Sequence, residues 1–180
     1  MKPSQQKISS ISRKICLILK LTFIASNIVM ILALSAIGIL LFSGAGTKSS
    51  FIAAFDVTAN NGTIISIAPR SLIIMFVFML ADMVLISLAI FFVHAIFKDI
   101  RTNCTPFTRR NTVRIKIIAI IAAVLSMVGS CSDALVDYYT IGEPAWKINI
   151  AGLVMALIVY CISLIFSYGC DLQQESDETL

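Results

Sequence analysis

Four runs of apolar residues, each about twenty residues or longer, constrain this chain more than any other feature. The first extends from Leu21 to Phe42 (LTFIASNIVMILALSAIGILLF), the second from Leu72 to Phe97, the third from Ile117 to Val136 and the fourth from Ile148 to Tyr168. At a rise of about 1.5 Å per residue, such a run as a helix covers about 30 Å of hydrocarbon. Lipid satisfies no open backbone group, so the runs are expected to cross as helices. The expected fold class is all-α: a polytopic membrane four-helix bundle, one transmembrane domain over residues 1–180, with spans at 21–42, 72–97, 117–136 and 148–168. Composition agrees. The chain is 58% hydrophobic and 13% charged, where a soluble domain carries about 25% charged residues. That leaves too little polar surface to coat a globule, and it excludes a soluble enzyme, a disordered tail and a disulfide-stapled secreted domain.

Threading follows from the cations. Lys2, Lys7, Arg13, Lys14 and Lys20 precede or open the first span. Lys98, Arg101, Arg109, Arg110, Arg114 and Lys116 fill the loop 98–116 between spans two and three. These are 11 of the 14 Lys and Arg; only Lys48, Arg70 and Lys147 fall elsewhere. Both termini, the loop 98–116 and the tail 169–180 are therefore expected in the cytoplasm. The first span has a basic flank, and Ser43-Gly44-Ala45 resembles a cleavage site. Its 22 apolar residues exceed the 7–15 of a signal peptide, which favours a retained span.

The outer loops carry weaker signals. In FDVTANNGTIISI, Asn61-Gly62 suits a type I′ turn, so this run reads equally as a short hairpin or an irregular loop. Asn61-Gly62-Thr63 also spells a glycosylation sequon, without meaning in a bacterial chain. Tyr138, Tyr139 and Trp146 suit a membrane–water interface. The five cysteines (Cys16, Cys104, Cys131, Cys161 and Cys170) include no CxxC pair, so they read as small apolar packing residues. The lone His94 reads as an interfacial polar tip. No metal, cofactor or phosphate-loop constellation and no nucleophile triad is recognisable.

Small and polar residues mark the packing faces. Ala119, Ala122, Ser126, Gly129, Asp133 and Asp137 recur at steps of three and four along span three, and Asn149, Gly152, Ala156, Ser163 and Ser167 do so on span four. These faces are expected to pack, since close backbone approach drives association where lipid supplies no hydrophobic force. Asp82 lies near the middle of span two. A carboxylate there costs about 2.5–3.5 kcal/mol on insertion scales, so it should face the bundle and be paired or carry its proton. Ser126 and Tyr160 stand at similar depth as candidate partners. Either an interhelical hydrogen bond or a transporter's proton or cation site accounts for it. Asn27 in span one is a second intramembrane polar group, read as interhelical glue.

The basic loop has its own logic. Thr105-Pro106 pairs an N-cap residue with proline at the first helical position, which starts the third helix near Pro106. Arg109, Arg110 and Arg114 then sit at the positive end of the helix dipole and need anions. Lipid headgroups are one source. The other is the tail CDLQQESDETL, with Asp171, Glu175, Asp177 and Glu178 and no Lys or Arg. The tail is expected to dock on these arginines, the alternative being two solvated clusters on one side.

The run Thr105-Pro106-Phe107-Thr108 with Asn111 and Arg114 resembles the middle-loop signature of a bacterial four-span membrane family. The closing run Phe166, Tyr168-Gly169, Leu172-Gln173, Glu175, Asp177 and Thr179 resembles its second motif. That family is catalogued only as a domain of unknown function, number twenty-nine seventy-five, and the likeness spans essentially the whole chain. It implies no enzymatic activity and no cofactor. It implies a role in the bacterial inner membrane as partner of a small helix-turn-helix DNA-binding regulator, held at the cytoplasmic face without direct nucleic-acid contact. Thr105, Pro106, Phe107, Arg109, Arg110, Asn111, Arg114, Leu172, Gln173, Glu175 and Asp177 are the candidate interaction residues. A small transporter or channel built on Asp82 is the competing reading. A thiol-redox enzyme would need paired cysteines near the outer face, where only Cys131 is close.

The charge distribution makes a direct prediction. Reporter fusions at residue 105 and at the carboxyl end should report the cytoplasm, and a fusion within 43–68 should report the opposite side. Reporters at residue 105 and the carboxyl end on different sides would contradict the threading.

Overall fold

The computed structural model describes residues 3–42, 57–58, 64–65, 69–103, 106–141 and 147–178. Lys2, the Ser43–Ala45 run, Lys48, the Asn61-Gly62-Thr63 turn, Cys104, Thr105, Trp146, Thr179 and the side chain of Asp177 lie outside the described residues. Four long helices make up the fold: α1 (Pro3–Phe42), α2 (Pro69–Asn103), α3 (Arg109–Ile141) and α4 (Ile150–Glu178). Each contains a stretch long and apolar enough to cross a membrane. Between α1 and α2 lies a two-residue antiparallel ladder, β1 (Val57–Thr58) with β2 (Ile64–Ile65), in which Val57 faces Ile65 and Thr58 faces Ile64. The hairpin reading of this loop therefore holds over the irregular one.

Both α1 and α2 open on a proline, whose fixed φ and missing N–H suit the first helical position. The helices outrun the apolar stretches. The basic arm of α1 is helical from Pro3, and α4 continues to Glu178, about 15 Å past Tyr168 at 1.5 Å per residue. The acidic tail is thus not a separate segment but the last turns of a helix. At its other end α4 starts at Ile150, just after Asn149, a residue type favoured at N-caps.

The chain divides into two compact units, one of 1–26, 85–126 and 150–180, the other of 27–84 and 127–149. In the first, Ser12 Oγ donates to the carbonyl of Phe97 at 3.0 Å, and the hydroxyls of Ser26 and Ser87 bond at 3.0 Å. Rising numbers on α1 meet falling numbers on α2, so the two run antiparallel. Ala119 and Ser126 on α3 and Ala156 and Ser163 on α4 are buried, as the small-residue faces require. In the second unit Ala33, Ser71, Leu72 and Ala134 are buried. Lys147 pairs with Asp137 at 3.0 Å, and the amide of Asn149 donates to Ser130 Oγ at 3.1 Å.

The stripe on α3 does not close along its whole length. A Cβ at Gly129 would meet nothing within 4 Å, and Asp133 is exposed. Periodicity marked these positions as one face, but the burial of Ala119 and Ser126 does not continue through Gly129 and Asp133. Large apolar side chains such as Ile28, Ile31 and Leu32 on α1, and Met155, Leu157 and Ile165 on α4, are exposed. Alanines supply four of the eight buried apolar residues described, beside Leu72, Ile96, Ile115 and Ile121, so close backbone approach, as in membrane helices, builds much of the interior.

Candidate functional site

The polar chemistry of the first unit gathers where α2 ends and α3 begins. Helix α3 starts at Arg109, three residues beyond Pro106, because Thr108 takes the capping role. Its Oγ1 accepts the N–H of Asn111 at 3.3 Å, and its carbonyl accepts the N–H of Thr112 at 3.0 Å. This corrects the start expected at Pro106. Pro106 instead supplies a carbonyl that is bonded twice, by the Thr108 N–H at 3.1 Å and by Asn111 Nδ2 at 3.2 Å. Two threonines three residues apart both carry capping chemistry, and the sequence does not rank them.

Asn111 is fully buried. Its Nδ2 serves Pro106, and its Oδ1 accepts Arg114 Nη1 at 3.1 Å. The same guanidinium nitrogen donates to the carbonyl of Ala95 at 3.1 Å and to the carboxylate of Asp99, both on α2. Arg114 thus ties α2 to the first turn of α3, and its own side chain is only 18% exposed. The anion it needs comes from α2, not from lipid or tail. Asp99 is the one acidic residue in 98–116, and it is not among the residues expected from the sequence. Its isolation among cations was the available signal.

Helix α4 closes the site from the other side. The ring of Phe107 packs on Phe166 with centroids 5.2 Å apart and planes at 47°. It also lies on Gly169, where a Cβ would come within 2.7 Å of Phe107 Cδ1. One turn further, Thr112 Oγ1 meets Cys170 Sγ at 3.7 Å, and Arg109 Nη2 meets Asp171 Oδ1 at 3.2 Å. The expected docking of the tail is therefore real at one pair, Arg109 with Asp171. That pair is largely exposed (81% and 53%) and contributes under about 1 kcal/mol. An aromatic ring over a glycine, not charge, seats α4 against the start of α3. Arg110 is exposed and has no ion-pair partner among the described residues. Leu172 and Glu175 are exposed on the helical tail, Gln173 is half-buried, and Gln174 Nε2 donates to Glu178 one turn on. Phe107 of the first motif thus meets Phe166 and Gly169 of the second, far apart in sequence.

The intramembrane candidates divide between the two units. Asp82, on α2 in the second unit, has a buried Oδ1 with no hydrogen-bond partner among the described residues. Asp133 on α3 is within Coulombic reach of it. Ser126 and Tyr160 belong to the first unit; the Tyr160 ring lies under the Lys116 ammonium at 5.7 Å, a cation–π contact, and its carbonyl accepts Ser163 Oγ. Asn27 is half-buried on α1. Compared with known proteins, the chain matches no family model, no curated protein and no solved structure.

Two sets of variants test the cluster. Arg114→Gln strands a carboxylate, an amide oxygen and a carbonyl, and should cost about 2 kcal/mol of unfolding free energy in detergent. Arg109→Gln should cost less than about 0.5 kcal/mol. Gly169→Ala should displace Phe107 and lower stability by about 1 kcal/mol. Gly129→Ala, with open space around it, should be neutral or stabilising by up to about 1 kcal/mol. Equal effects of the two glycine substitutions would refute the close-approach argument.

Proposed function

We propose that this chain is a multi-pass protein of the bacterial inner membrane with a non-enzymatic, regulatory role. Both termini and the loop 98–116 face the cytoplasm, and the α3 start with the end of α4 forms the working surface. The observation that carries this reading is the convergence of the two motif segments on one built cluster beyond the apolar stretches. Within it, the residues divide by job. Asn111, Arg114 and Asp99 hold the scaffold, and Phe107 with Gly169 seats α4. Arg109 and Arg110 are exposed at the start of α3, and Leu172 and Glu175 are exposed on the last turns of α4. Rigidly held, exposed side chains of mixed chemistry are what a protein partner recognises. By its resemblance to the four-span family, the partner is a small helix-turn-helix regulator tethered at this face.

Charge reversal separates scaffold from surface. Arg109→Glu with Arg110→Glu should leave the fold intact and abolish co-purification of a helix-turn-helix regulator. Unchanged co-purification, or no partner under any growth condition, would rule the reading out.

One observation favours a second reading, a small transporter or channel. An intramembrane carboxyl oxygen without a partner is costly to keep for structure alone. On this reading Asp82→Asn, which keeps the shape and removes the acid, should abolish proton-coupled flux in reconstituted vesicles. Flux unaffected by the substitution would remove it.

A further inference from the structure

Along their antiparallel contact, α1 and α2 leave a groove of about 370 Å³, within the volume range of small-ligand pockets. Leu19 and Phe23 from α1 and Ile90 and Phe91 from α2 line it, and its remaining walls are Lys20 and His94. Helical side chains lean toward the N-terminus of their own helix. On antiparallel neighbours, Lys20 therefore leans toward the basic end of the pair and His94 leans away from it, which brings the two toward one level. Neither has a hydrogen-bond or ion-pair partner among the described residues. The groove holds no carboxylate, and Asp99, the acid nearest in sequence, is engaged by Arg114. Four apolar side chains and two nitrogen donors, one of them a fixed cation, thus share one slot. The same helices expose Ile24 and Leu88 further along, so an apolar chain leaving the slot continues over apolar surface.

We infer that this groove binds an acidic phospholipid. One acyl chain lies along Leu19, Phe23, Ile90 and Phe91, and the phosphate oxygens accept hydrogen bonds from Lys20 Nζ and the imidazole N–H of His94. Free phosphate would leave the apolar walls uncovered, and a zwitterionic headgroup would find no carboxylate for its cation. The site differs from the general attraction of basic residues to an anionic leaflet, which is spread over Arg13, Lys14 and Lys98 as well. It rests on the placement of α1 and α2 in a bilayer proposed above. A chain monodisperse in detergent-free buffer would sink that placement. Lipid-blind binding by a chain that needs detergent would sink this site alone.

The test is native mass spectrometry of the full chain in detergent, titrated with phosphatidylglycerol or phosphatidylcholine of equal chain length. The expected result is a retained phosphatidylglycerol adduct, with phosphatidylcholine bound at least about fivefold more weakly. Lys20→Gln with His94→Gln should weaken the adduct about fivefold or more. Leu19→Trp, which fills the groove and keeps both donors, should do the same. Lys20→Arg should retain the adduct, and so should Arg13→Gln with Lys14→Gln, which removes neighbouring charge outside the groove. Should the double glutamine variant fail to fold, Leu19→Trp against Lys20→Arg decides alone. Equal binding of the two lipids, equal loss in the Arg13 and Lys14 control, no effect of filling the groove, or displacement by millimolar inorganic phosphate would each overturn the assignment.

Discussion

Hydrocarbon cannot hydrogen-bond to a peptide group, and the architecture follows from that constraint. Each apolar stretch must satisfy its backbone within itself, so each is a helix. Once helical, the segments gain nothing from hiding leucines from lipid, and association falls to small residues and hydroxyls. The interior reflects this. Ala119, Ser126, Ala156 and Ser163 are buried while large apolar side chains of α1 and α4 stand outside. Interhelical hydroxyl bonds such as Ser12 to Phe97 are worth only about 0.6 kcal/mol each in such settings, too little to set the arrangement alone.

The polar cluster at the start of α3 supplies a stronger tie. Arg114 holds two acceptors on α2 and one on α3 from a single partly buried guanidinium. Breaking such a network leaves several groups unpaired, and the penalty is several times that of losing an exposed pair like Arg109 with Asp171. The cap at Thr108, the doubly used carbonyl of Pro106 and the buried amide of Asn111 make the turn rigid. Arg109 and Arg110 are accordingly presented by a capped helix start and not by a loose loop.

The spans, their helical state and the cation asymmetry were legible because each depends on local composition. The hairpin at Val57–Ile65 was legible as one of two options, since Asn61-Gly62 is a turn signal but two-residue strands are too short to leave a pattern. Other features were not. Thr105 and Thr108 are equivalent caps until Asn111 is buried. Lipid headgroups and the acidic tail were the anions expected for Arg114, and only the α2–α3 geometry selects Asp99. The α3 stripe looked continuous through Gly129 and Asp133, because periodicity says which residues share a face and not how far the neighbour follows it.

The sequence alone determined that this chain has four membrane-length helices, where polar groups interrupt them and which segments are basic or acidic. These properties are sums over neighbouring residues, so no folding is needed to read them. Only the tertiary structure decided that Phe107 lies on Gly169, that Arg114 answers Asp99, that the acidic end is the last turns of α4, and that Lys20 and His94 share a groove. Apart from the helical tail, each joins residues distant in sequence, and their meeting depends on helix length, register and tilt, which no local pattern encodes.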